Sequence, residues 1–244
     1  MNASLPSGWR RGALLAVILL GTLLGPLDAA VNIAFPDITT SFGIELKAIR
    51  WVVIAYVATY ASLMLVFGRI GDLFGHARVF GWGLVIVSIG FTICSTAGAY
   101  TWLLGARVLQ GIGTAMVLSC GPALATHLYP EQMRARVLGA YAMAFGLGGA
   151  VGPSLGGLLV DLWGWPAVFW FRLPLALIAL LAMMLLRMPA PPRDIGRFDL
   201  AGSTLLAAAS ALLLTTFSQI EIATKHPVPV AVLALATLGT VICF

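Results

Sequence analysis

Long apolar runs alternate with short polar breaks along the whole chain. The runs measure roughly 20 to 25 residues, which is the length that crosses about 30 Å of hydrocarbon at about 1.5 Å per residue. Reading from break to break predicts helices near residues 12–34, 49–69, 79–98, 102–125, 136–160, 166–187 and 200–219. An eighth begins near Val228. Its run "HPVPVAVLALATLGTVICF" is barely long enough to span and has no polar anchor after it, as a truncated helix would. The pattern predicts an all-α fold, a polytopic transmembrane helical bundle.

Composition agrees. Of 244 residues, 60% are hydrophobic and 9% charged, with a mean hydropathy of +1.00, whereas soluble domains carry about 25% charged residues. The length would suit one or two soluble domains, but so few charges cannot cover a surface in water. The formal charge of +5 would point a soluble protein toward nucleic acid. In a membrane protein it is explained by Lys and Arg gathered in cytoplasmic loops, so the expected surroundings are a lipid bilayer and no nucleic acid.

Orientation follows from counting Lys and Arg by loop. Arg10, Arg11, Arg69, Arg78, Arg134, Arg136, Arg187, Arg193 and Arg197 fall on one side, and Lys47, Arg50 and Lys225 on the other. Nine against three places the N-terminus in the cytoplasm of a cell that carries the protein in its cytoplasmic (inner) membrane. Trp51, Trp102, Trp163 and Trp165 then gather at outer helix ends, where amphipathic rings sit. The opening "MNASLPSGWRR" leads into an apolar segment with an aspartate and no clear cleavage site, so it reads as a first spanning helix, not a removed signal peptide. The three cysteines, Cys94, Cys120 and Cys243, lie in apolar runs without CxxC spacing and read as small core residues. No metal site is expected.

Five stretches interrupt the apolar pattern. "GRIGDLFGHAR" (Gly68–Arg78) packs glycines and charges between two uncharged blocks. Glycines at 68, 71 and 75 suit a tight cytoplasmic turn and close helix approach, and Asp72 offers an acceptor to arginines or to a helix N-terminus. In "RVLQGIGTA" (Arg107–Ala115), Arg107, Gln110, Gly111 and Thr114 share one helix face. Arg107 lies five residues in from Trp102, about 7.5 Å deep, where an arginine must snorkel, find a partner or face a wet cavity.

In "GLGGAVGPSLGG" (Gly146–Gly157), Gly148, Gly152 and Gly156 recur every four residues as a stripe without side chains, with Pro153 a source of bending and Gly157 beside it. "LDAAVNIAFPDI" (Leu27–Ile38) places Asp28 and Asn32 four apart, so they share one helix face. Asp28 sits about 9 Å inside its outer helix end, near the level of Arg107. It reads either as a functional acid or as a carboxyl capped by a neighbouring helix. In "WPAVFWFRLP" (Trp165–Pro174), Arg172 reads first as an interface anchor and second as a pathway residue. Asp161 and Glu221 read as solvated residues at outer helix ends.

Together these stretches resemble the major facilitator superfamily, in order, from about residue 12 to residue 219. Gly68, Ile70, Asp72, Gly75 and Arg78 resemble its GxLxDxxGR loop, a cytoplasmic latch between helices 2 and 3. Gly71 lies within the same loop. Leu73, His76 and Ala77 stand where that loop carries basic residues, which implies a weak latch. The RxxQG spacing of Arg107 and Gln110 resembles the helix 4 motif associated with proton coupling. GxxxGPxxGG at Gly148 to Gly157 is similar to the helix 5 motif of antiporter branches.

Asn32, Ala34 and Pro36 match the first-helix motif of fourteen-helix drug–proton antiporters. Asp28 precedes Asn32 by four residues where that motif has five. Trp165, Phe169 and Pro174 match the opening of helix 6, with Arg172 where asparagine is common. The resemblance implies the N-terminal half of the major facilitator fold, with residues 1–190 a six-helix bundle, 191–198 a cytoplasmic connector and 199–244 an inserted helix pair cut short. It further implies proton-coupled efflux of small amphipathic or cationic drugs or metabolites. Asp28, Asn32, Arg107 and Gln110 would serve coupling or substrate binding, and the proton gradient would stand in for any cofactor.

No GxxxxGK[ST] stretch suggests ATP. An intramembrane hydrolase would need a nucleophile beside a base, and His76, His127 and His226 stand in no such motif. The other reading is a fragment or half-transporter that needs the missing C-terminal half, or another chain, because alternating access uses two halves about a shared site.

Overall fold

The computed structural model describes residues 8–188, and no strand occurs among them. The predicted helix over 200–219, the start near Val228, the connector 191–198 and the pair 199–244 lie outside the described residues. So do Arg193, Arg197, Glu221, Lys225, His226 and Cys243. In chain order, α1 (Gly8–Leu23) leads through a 3-10 segment (Pro26–Asn32) to a short α2 (Phe35–Phe42). There follow α3 (Leu46–Phe74), α4 (His76–Ser95), α5 (Tyr100–His127), a 3-10 turn (Glu131–Met133), α6 (Arg134–Trp163), α7 (Ala167–Trp170) and α8 (Arg172–Leu186). Six stretches among the described residues are long and apolar enough to cross a membrane, and they match the first six predicted helices.

Successive spans run antiparallel because their connections are short. Arg10 Nη2 donates to the Leu186 carbonyl at 2.7 Å, tying the start of α1 to the end of α8 at one face of the bundle. At the opposite face the Tyr100 hydroxyl donates to the Ala48 carbonyl, joining the first turns of α5 and α3.

Lipid tails are as apolar as leucine, so helices in a membrane associate through close packing and polar contacts. The tightest crossing is between α4 and α5, where a Cβ on Gly113 would lie 2.6 Å from the Val87 nitrogen and 2.8 Å from the Gly83 oxygen. Two apolar clusters result. One holds Leu14, Ile18, Phe80, Leu84, Phe91 and Leu124, and the other Ala30, Val31, Ile38, Val52, Leu103 and Phe169.

Two predicted elements differ in form. The first helix is not continuous over 12–34. Pro26 has no N–H, so the chain tightens before it and runs on in 3-10 form, with Gly25 N–H donating to Thr22 O and Asp28 N–H to Gly25 O. At three residues per turn, positions four apart are about 120° apart instead of about 40°. Asp28 is therefore buried and Asn32 exposed, and the shared face expected of them does not form.

The second case is the stretch expected to be a turn. Helix α3 continues through Gly68, Gly71 and Asp72 to Phe74, and Gly75 alone makes the reversal before α4. Gly75 does this at φ 100°, ψ 120°, a conformation L side chains rarely adopt. Close approach holds at Gly71, whose Cβ would meet Cys120 Sγ at 2.9 Å, and not at Gly68, which has open space beside it. Asp72 caps no helix; it faces Arg69 at 3.7 Å and His76 at 3.4 Å. Arg78 is exposed beside Trp82 and Arg187.

Candidate functional site

A polar layer lies between the two apolar clusters. On α5 it falls between Leu103 and Met116, on α4 between Phe91 and Cys94, and on α8 at Arg172, between Phe169 and Ala176. The first spanning segment contributes Asp28 from its 3-10 portion.

Asp28 accepts from three side chains. Arg107 Nη1 donates to Oδ1 at 2.7 Å and Nη2 to Oδ2, the paired fork that suits a carboxylate. Arg172 Nη1 reaches the same Oδ1 at 2.7 Å, and Gln110 Nε2 does so at 3.1 Å. Gln110 is oriented in turn, because its Oε1 accepts from Arg107 Nη1 at 2.8 Å. Arg107 also gives Nε to the Val52 carbonyl at 2.9 Å, anchoring it to α3. Both guanidiniums are fully buried, so neither snorkels to an interface. Aromatic faces flank them: Tyr56 lies 4.3 Å from Arg107 Cζ, and Phe91 lies 4.6 Å from Arg172 Cζ.

The glycines of α6 hold the acid in place. A Cβ at Gly148 would meet Pro26 at 2.8 Å, one at Gly152 the Leu27 oxygen at 3.2 Å, and one at Gly156 the Ala30 oxygen at 2.8 Å. The stripe thus follows the backbone of the 3-10 segment on both sides of Asp28. Gly157 takes no part, having nothing within 4 Å of a Cβ, and α6 runs through Pro153 without interruption.

The structure therefore brings together Asp28, Arg107 and Gln110 and leaves Asn32 outside. It adds Arg172, which reads from the sequence mainly as an interface anchor. That reading is corrected: Arg172 is buried and ion-paired. The signal was present, since seven residues from Trp165 is about 10 Å of helix, close to the level of Asp28. The departure of α8 from α7 at Phe171, three residues before Pro174, turns Arg172 inward with Nε on the Val168 carbonyl at 3.0 Å. No group of His, Cys, Asp and Glu suited to a metal occurs among the described residues.

Six antiparallel spans around a buried acid–arginine layer fit a known architecture. The profile of the Major Facilitator Superfamily matches residues 17–244. The chain belongs to that superfamily.

It is 30% identical over 207 residues to the riboflavin transporter RibZ of Clostridioides difficile, covering 84% of this chain and 45% of that protein. It is 32% identical over 223 residues to the multidrug resistance protein Stp of Mycobacterium tuberculosis, covering 90% of this chain and 42% of that one. Among solved structures, the human organic anion transporter MFSD10 (TETRAN) aligns with TM-score 0.66 at 20% identity over 85% of this chain and 55% of its own. A bacterial homolog of the human lysosomal transporter Spinster aligns with TM-score 0.64 at 22% identity, over 82% and 48% respectively. The chain spans under half the length of these two curated relatives. The fold is the N-terminal half of the major facilitator fold, in a multi-pass membrane protein related to transporters and not to enzymes.

Proposed function

We propose that the complete transporter exports small amphipathic compounds in exchange for protons, with Asp28 as the group that exchanges partners. The observation that carries this reading is one carboxylate, buried at mid-bundle, held by arginines from two other spans. A proton on Asp28 cancels its charge and with it both ion pairs, which frees α5 and α8 from the first spanning segment. Loss of the proton restores them. A site that ties helices together in one protonation state and releases them in the other is a device for coupling proton movement to alternating access. The direction, export, is supported by relatives such as the multidrug resistance protein Stp.

The test uses the complete two-half transporter in proteoliposomes. An imposed proton gradient should drive amphipathic dye against its own gradient, and substrate addition should release protons. Dye movement unaffected by collapse of the gradient would overturn proton coupling.

The N-terminus lies in the cytoplasm in this reading, supported by the bias of arginines toward the face where Arg10 meets Leu186. Glu131, exposed at the turn between α5 and α6, reports on it. With Cys94, Cys120 and Cys243 replaced, a cysteine at position 131 should resist an impermeant thiol reagent added to intact cells and should react in inverted vesicles. Ready labelling of intact cells would reverse the topology.

A further inference from the structure

The polar layer does not balance its charge. Asp28 is the only buried acid among the described residues, and it faces two fully buried guanidiniums. Asp37, Glu45, Asp72, Glu131 and Asp161 all lie at or near helix ends, away from this layer. Among the described residues one positive charge is left without a counter-ion, in a place where an uncompensated buried charge is costly. The hydrogen bonds are short by one group as well. Arg172 Nη2 is buried and has no hydrogen-bond partner among the described residues, whereas Nε and Nη1 of the same side chain are both used. Phe91, Phe169 and Phe171 surround that guanidinium with Cζ-to-centroid distances of 4.6, 5.6 and 5.9 Å. A ring face attracts a cation, but it neither carries a full charge nor accepts an N–H as a carboxylate does.

From this imbalance we propose that the layer is an anion-selective substrate site, in which Arg172 receives the acidic group of the transported compound. The proposal rests on the transporter reading above and names its substrate class: a small molecule with one carboxylate or phenolate on an aromatic or apolar body. The anion supplies the missing charge and the acceptor for Nη2, and the body lies against Phe171, the one ring of the three that is not fully buried. The Asp28 side chain, 10% exposed where both arginines are at 0%, is the member through which the cluster meets its surroundings. A cationic compound of the same shape meets a net positive charge. At about 6 Å and an effective dielectric near 20 that repulsion exceeds a tenfold difference in affinity.

The experiment measures equilibrium binding to the purified complete transporter in detergent, with fluorescein as its methyl ester, which keeps a single phenolate, and a permanently cationic rhodamine ester, two dyes with similar ring systems and opposite charge. Fluorescein should bind at least about tenfold more tightly. Arg172→Asn leaves Asp28 with Arg107 and Gln110, so the fold keeps its central ion pair, and the preference for fluorescein should vanish. Arg172→Lys, which retains the charge, should retain most of the preference. Tighter binding of the cationic dye by the natural protein would overturn the proposal, as would an undiminished preference in Arg172→Asn or the absence of binding by either dye. Arg172-dependent fluorescein binding without proton-driven transport would leave this proposal standing and overturn the coupling reading instead.

Discussion

Asp28→Asn is expected to abolish proton-coupled transport by the complete transporter and to lower its folded yield as well. The natural layer holds one carboxylate and two guanidiniums. Its amide counterpart holds two buried positive charges and no negative one. Removing one partner of a buried ion pair costs about 3–5 kcal/mol, because the remaining charge stays desolvated. Loss of activity in the single variant would therefore mix two causes. Asp28→Asn combined with Arg172→Asn separates them, since the double variant returns to the natural net charge. It should regain folded yield, read as monodisperse protein after extraction, and still release no protons on addition of an uncharged amphipathic dye for which Arg172→Asn alone does release them. Arg107→Lys should impair coupling less than Arg107→Ala, because an ammonium keeps the charge while losing the planar fork and the hold on Val52. Proton release by a well-folded Asp28→Asn protein would show that the coupling acid lies elsewhere.

Gly156→Leu is expected to destabilise the bundle severely, whereas Gly157→Leu on the same helix is expected to be tolerated. A Cβ at Gly156 would lie 2.8 Å from the Ala30 oxygen and 2.9 Å from its Cα, and backbone atoms cannot rotate away as a flexible side chain can. The two segments must separate, at a cost on the order of 3 kcal/mol for an overpacked core position. Separation also shifts the 3-10 segment that presents Asp28, so transport should fall further than stability alone would dictate. At Gly157 a Cβ meets nothing within 4 Å, and a leucine there adds one more apolar side chain to an apolar helix. Thermal denaturation of the two purified variants decides the matter. Equal midpoints would show that the glycine stripe does not set the contact between α6 and the first spanning segment.

Much of this architecture is a property of single segments, and single segments are what a sequence displays. Six apolar runs of spanning length, their alternating direction and the shared depth of Asp28 and Arg107 all follow from counting residues along one helix at a time. The spacing of Arg107 and Gln110 survives folding because α5 is a regular helix across both positions. Where a helix is irregular, the count misleads. Pro26 winds the first span into 3-10 form, and the rotation that buries Asp28 turns Asn32 away.

Residue order alone sets the spans, their number over residues 8–188, and the level at which charge lies in the bundle. Which charges meet is settled by how the helices pack. Arg172 carries the same side chain whether it reaches an interface or an acid, and the difference lies in where α8 stands relative to the 3-10 segment. The same holds for glycines: Gly156 touches Ala30 while Gly157 faces open space, although the two are neighbours in the chain. An ion pair or a backbone contact is a relation between two segments, fixed by their distance and rotation, and hydropathy along either one contains neither quantity.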